Sequence, residues 1–203
     1  MGKSYFISDY HIGHANVMRF DERPFDNLDD MEKKLIEKWN NKVTNEDTVY
    51  CLGDMFWCDD KKAYEILKTL KGKKILIPGN HTKGIKDAKN RKMFEHISDY
   101  IEEHIDGKQI IMSHYPIFSW KGMRYGSIHL YGHLHNTEEQ RMYEQHIKNL
   151  RSQNINCDAY NVGCSMPYMN YEPQDLDTIL EKAEKYYKNI FHSSPIEPSK
   201  KQG

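Results

Sequence analysis

Five short segments of this 203-residue chain carry side chains suited to metal-assisted chemistry. They read SDYHIGH with Asp9 and His11, LGDMF with Asp54, PGNHT with Asn80 and His81, MSHYP with His114, and YGHLH with His133 and His135. Taken singly, each is ordinary, since a lone histidine after a strand is more often a hydrogen-bonded structural residue than a ligand. The conjunction is what points to chemistry. Burying several carboxylates and imidazoles together without cations is costly, and two divalent ions remove that cost. Mixed carboxylate, amide-oxygen and imidazole donors suit Mn²⁺ first, with Fe, Zn²⁺, Ni²⁺ and Mg²⁺ as alternatives. Two such ions about 3.5–4 Å apart share a carboxylate, clamp a phosphoryl group and make hydroxide available near neutral pH. The reaction this suits is hydrolysis of a phosphate ester.

Those segments need elements to position them. Short β-rich runs are expected at Tyr5–Ser8, Thr48–Leu52, Lys74–Ile77, Ile101–Ile105, Gln109–Ser113, Ser127–Tyr131 and Ala159–Val162. Asp106-Gly107 between the fourth and fifth runs is a two-residue hairpin signal. Leu28, Met31, Leu35 and Trp39 recur at helical spacing within Leu28–Val43, with Asn27 or Asp29 as the cap. Further helices are expected at Lys61–Leu70, Thr137–Gln153 and Asp175–Ile190. Each polar cluster follows a strand, and in α/β sheets ligands gather at the carboxyl ends of strands. Residues 1–191 read as one domain and 192–203 as a disordered polar tail.

Composition narrows the partners. A net charge of −1 supplies no bulk basic field for stable nucleic-acid binding. No run approaches the roughly 20 apolar residues of a membrane span, and MGKSYFISDY lacks the apolar core of an export signal. Cys51, Cys58, Cys157 and Cys164 form no CxxC pair. Reduced thiols and a cytoplasmic location are expected.

The ordered set Asp9-x-His11, Gly53-Asp54, Gly79-Asn80-His81, His114 and Gly132-His133-x-His135 resembles the calcineurin-like metallophosphoesterases. GHANVMRFDERPF, KWNNKV…DTVYCLGD and NVGCSMPYMNYEP are similar to a small bacterial and phage-associated branch. The resemblance runs from about Lys3 to Ile190. It implies an α/β fold, a four-layer α/β/β/α sandwich with two mixed β-sheets. It further implies that Asp9, His11 and His135 bind a first ion, that Asn80, His114 and His133 bind a second, and that Asp54 bridges both. His81 becomes the acid that protonates the leaving oxygen. Two departures stand out: Thr82 follows His81 where many members have an acid, and Trp57 occupies the place of a carboxylate that orients this histidine. Asp59 and Asp60 are the local candidates to replace it.

Other polar residues carry two readings each. His14 either faces the pocket or is a plain loop histidine. Arg19, Arg23, Lys121 and Arg124 read first as solvated, salt-bridging residues and second as phosphate contacts. His129, within a strand, reads as structural, and His96, His104, His146 and His192 as surface residues. Trp39 fits a helix core, whereas Trp57 and Trp120 are candidates for the pocket mouth. The function expected is a phosphodiesterase on a small nucleotide-like ester. A phosphomonoesterase or protein phosphatase is the alternative, and a silent metal-binding interaction module a third reading.

Overall fold

A computed structural model describes residues 2–81 and 83–192. The expected 192–203 tail lies outside the described residues from 193 onward, as does Thr82. The strands are β1 (Ser4–Ile7), β2 (Thr48–Cys51), β3 (Lys73–Leu76), β4 (His96–Ile97), β5 (Tyr100–Ile105), β6 (Lys108–Ser113), β7 (Ile128–Tyr131), β8 (Asp158–Asn161) and β9 (Gln174–Asp175). The helices are α1 (Val17–Phe20), α2 (Leu28–Lys42), α3 (Asp60–Thr69), α4 (Ala88–Arg91), α5 (Glu138–Ser152) and α6 (Leu176–His192).

They form two mixed sheets. One has the order β4-β3-β2-β1-β9, the other β5-β6-β7-β8. In the first, β1 to β4 run parallel and β9 pairs antiparallel with β1. In the second, β5 and β6 make the expected hairpin, with Asp106 and Gly107 both at positive φ as a tight turn demands. β6, β7 and β8 are parallel.

Strand alternation sorts side chains into layers. On β6, Ile110 and Met112 enter the large core with Phe6 and Tyr50 of the first sheet. Ile111 between them joins a separate cluster with Tyr131, Ala159 and Ile147 of α5. The Tyr50 hydroxyl crosses between the sheets to donate to Glu103 Oε2 at 2.7 Å. On α2, Asn27 caps the start by accepting from the Asp30 amide, and Met31, Leu35 and Trp39 are buried in the large core. Helix, sheet, sheet and helix thus stack as four layers.

One expectation changes here. Trp120 is not at a pocket mouth; it is buried in the smaller core, where its indole N–H donates to the Ser127 carbonyl. His129 is structural as expected. Its Nδ1 lies 3.1 Å from the Ile111 carbonyl, and the Ile117 amide donates to its Nε2. Burial lowers its pKa to about 4, so it stays neutral. Among the described residues, no helix is long and apolar enough to cross a membrane.

The sheets are stitched directly under the polar clusters. Ser8, just past β1, bridges to Gly163, just past β8. Its amide donates to Val162 and its carbonyl accepts from Cys164. The carboxyl ends of β1 and β8 therefore open onto one place.

Candidate metal centre

Every cluster read from the sequence arrives there. Asp9 and His11 follow β1, Asp54 follows β2, Asn80 and His81 follow β3, His114 follows β6, and His133 and His135 follow β7. Asp9, His11, Asp54 and His114 are buried, His81, His133 and His135 partly so, and Asn80 is exposed. Donor atoms of Asp9, His11 and His135 lie within 4.8 Å of one another, as do those of Asp9, Asp54 and His114.

Individual distances define the arrangement. His11 Nε2 and His135 Nε2 are 3.2 Å apart, and both are near Asp9 Oδ1, at 3.9 and 3.8 Å. Asp54 Oδ2 lies 3.9 Å from His11 Nε2 and 3.6 Å from His114 Nε2. Asn80 Oδ1 is 3.1 Å from His114 Nε2 and 2.9 Å from His133 Nδ1. One carboxylate oxygen therefore sits between two groups of nitrogen donors.

Close backbone approach makes this possible. A Cβ on Gly79 would fall 2.0 Å from Asp54 Oδ1, and one on Gly132 would fall 2.0 Å from Ser8 Oγ and 2.7 Å from Asp9 Oδ2. The candidate ligands themselves are strained. Asp9, His11, Asp54, His133 and His135 all have left-handed backbones, with φ of 59°, 51°, 51°, 68° and 48°. Asp and His tolerate this region better than most residues, yet such strain persists only where the surroundings over-determine it.

Burial sets the charge states. It pushes the His11 imidazole down to about 3, so this residue is neutral and able to ligate. His133 is lowered by burial and then by His114. Asp54 is raised, chiefly by burial. Burial acts the same way on Asp9, but the imidazoles of His135, His114 and His11 outweigh it and hold its carboxyl below the usual value.

A calcineurin-like phosphoesterase family model matches residues 2–196. The chain belongs to this family. An uncharacterized protein of Methanocaldococcus jannaschii is 33% identical over 187 residues, spanning 91% of this chain and 93% of that one. The gene 66 protein of Mycobacterium phage D29 is 28% identical over 187 residues, 79% of this chain and 90% of its own. The crystal structure of a protein of unknown function from Aquifex aeolicus shares the fold, with a TM-score of 0.62 at 24% identity. That match covers 94% of this chain and 100% of the other.

The residues of this phosphoesterase fit divalent ions. Asp9 Oδ1 is buried without a hydrogen-bond partner, and it faces two imidazole nitrogens rather than a donor already spoken for. The His114 Nδ1 proton is held by the Leu52 carbonyl at 2.7 Å, leaving Nε2 as a free donor atom. Asp9 belongs to both donor groups, so it joins Asp54 between them, a sharing not anticipated from spacing.

Asp21 was not read as part of the site, and Arg23 was read first as solvated and second as a phosphate contact. Asp21 accepts from His135 Nδ1 at 2.8 and 2.9 Å, which leaves His135 Nε2 facing Asp9. Arg23 is buried, not solvated. It pairs with Asp21 and donates to the Asp9 and Tyr10 carbonyls, each at 2.8 Å. The signal was present only as an acid and a base in FDERPF. Asp21→Ala is therefore expected to weaken divalent-ion binding by roughly 10–100-fold, the usual cost of losing such a carboxylate–histidine contact. Asp21→Asn, which keeps the acceptor, should recover most of it. Calorimetric titration with Mn²⁺ measures this, and unchanged affinity in Asp21→Ala would refute the role.

Around His81 the expectations also shift. Asp59 caps α3 through the Lys62 amide, and Asp60 accepts from the Lys86 amide, so neither orients His81. Trp57 does flank the site, with its ring 4.5 Å from that of His81 and 4.3 Å from that of His14. Among the other candidates, Lys121 pairs with Glu102, while Arg19 and Arg124 are exposed.

Proposed function

We propose that this chain is a two-metal phosphodiesterase acting on a small nucleotide-like ester. The observation that carries the reading is the position of Asp54 Oδ2, 3.9 Å from His11 Nε2 and 3.6 Å from His114 Nε2. In this reading Asp9, His11 and His135 hold one divalent ion, Asn80, His114 and His133 hold the other, and Asp54 bridges. When bound, Mn²⁺ ions would supply Lewis acidity toward the phosphoryl oxygens and hydroxide near neutral pH.

His81 is the proposed acid. Its amide donates to Asp54 Oδ1 at 2.9 Å, which anchors the residue beside the bridge. Its Nε2 is 3.8 Å from Asp54 Oδ2, and its side chain is 35% exposed, so the imidazole can meet a leaving oxygen entering from solvent. It would give that oxygen a proton as the P–O bond breaks.

Cation supply favours a diester. A monoester brings an additional negative charge. Arg23 is committed to Asp21 and to backbone, and Lys121 to Glu102. Lys83, with its ammonium 3.8 Å over the Trp57 ring that flanks His81, is the feature that favours the monoester alternative. We place the reaction in the cytoplasm, a location supported by four free cysteines. The test is hydrolysis by Mn²⁺-loaded protein of paired aryl monoester and diester substrates. Diester preference is expected. Monoester preference would overturn the diesterase assignment, and no turnover of either would overturn the enzymatic one.

A further inference from the structure

Two exposed aromatic surfaces flank the proposed metal ligands, and neither has a partner in the core. On one side Tyr115 follows the ligand His114. Its ring centroid is 4.5 Å from that of His133 and 5.0 Å from that of His114, and the residue is 49% exposed. On the other side His14 connects His11 to Trp57 and Phe20, at ring separations of 6.0, 4.3 and 6.4 Å. Phe20 is 74% exposed. Trp57 also touches His81, and the Lys83 ammonium covers its ring at 3.8 Å, so the open face on this side belongs to Phe20.

Large apolar rings left in water beside a polar cleft mark contact surfaces. Stacking on an aromatic side chain suits any nucleobase, because every base has a π-face. The two ester oxygens of a tetrahedral phosphate diverge, so the two arms of a bound diester would leave the centre in different directions. The acid, His81, is on the Trp57 side. The leaving arm therefore belongs there, and Lys83 adds positive charge where the departing oxygen becomes negative. The retained arm then runs over Tyr115.

We infer that the substrate is a phosphodiester with a planar ring on each arm, the retained arm being a nucleoside stacked on Tyr115 and the leaving arm reaching Phe20. This rests on the diesterase reading above and adds the substrate class and the residues that select it. Tyr115 is a specificity residue here and takes no part in bond breaking.

The experiment holds the leaving group constant and varies the retained arm. Mn²⁺-loaded protein is given thymidine para-nitrophenyl phosphate and methyl para-nitrophenyl phosphate, in wild type, Tyr115→Leu and Phe20→Leu. Wild type is expected to prefer the thymidyl ester in kcat/KM by about tenfold or more. Tyr115→Leu should lower kcat/KM for the thymidyl ester by roughly 5–100-fold more than for the methyl ester, the range of one base stack. Phe20→Leu should lower both esters together, because both carry the same leaving ring. Both side chains are exposed, so the variants should melt as wild type does. Equal wild-type rates on the two esters, or an equal effect of Tyr115→Leu on both, would overturn the inference while leaving the diesterase reading intact. No hydrolysis of either ester would remove that reading and the inference with it.

Discussion

Asp54→Asn is expected to abolish hydrolysis and most divalent-ion binding while leaving the metal-free protein as stable as wild type or more so. The two effects have separate causes. Asp54 Oδ2 is near donors of both groups, so its charge is the one that both ions would share. An amide there loses that charge. Several kcal/mol of transition-state stabilisation would go with it, which corresponds to a rate loss on the order of 10³-fold or more. Without metal, however, the buried carboxylate is itself a burden, and burial already raises its pKa. Asparagine keeps the Oδ1 that accepts from the His81 amide. Thermal melts with and without Mn²⁺ separate the cases. Added metal should raise the melting temperature of wild type and not of the variant. A variant that still gains stability from Mn²⁺ and turns over would remove Asp54 from the bridging role.

His81→Ala should behave oppositely, keeping the metals and losing turnover by roughly 10²–10⁴-fold in kcat, the range for a general acid. The size should depend on the leaving group. A nitrophenolate departs without a proton, whereas an alkoxide needs one. Neither Asp59 nor Asp60 orients this imidazole, since both bind backbone amides elsewhere, and Trp57 packs against it. Wild type should therefore show a clear dependence of kcat/KM on leaving-group pKa, made steeper in the variant. Equal slopes would mean that His81 donates no proton in the rate-limiting step. Loss of Mn²⁺ from the variant would instead make it a ligand.

The centre was readable from sequence because its residues sit at strand ends. Runs such as SYFI, TVYC and IHLY are short, apolar and β-rich, and the polar cluster begins within a residue or two of each end. β4 and β9 escaped notice since two-residue strands have no periodicity to detect. Asp21 escaped for another reason. It stands 114 positions from His135, and a charged residue in a loop looks solvated until the fold folds that loop inward. Arg23 misleads in the same way, because its acceptors include an aspartate and two backbone carbonyls that no local pattern advertises. Trp57 was legible both as a departure from the family pattern and as a candidate for the pocket mouth, but its contacts with His14 and His81 were not.

The stitch between Ser8 and Gly163 has a consequence for synthesis on the ribosome. All seven proposed ligands lie between Asp9 and His135, so they leave the exit tunnel first. Part of what pins Asp9 comes later. Ser8 needs Val162, Gly163 and Cys164, the Asp9 carbonyl receives the Cys164 thiol, and β1 gains its second neighbour only with Gln174 and Asp175. A fragment ending near residue 150 thus carries every proposed donor atom, with Asp9 held by Gly53, Arg23 and His133 but without the stitch from Ser8 to Cys164. Such closure by distant partners is slow, because loop entropy is lost before the contacts repay it. A fragment carrying the seven proposed ligands but lacking β8 and β9 is accordingly expected to bind divalent ions more weakly than the full chain.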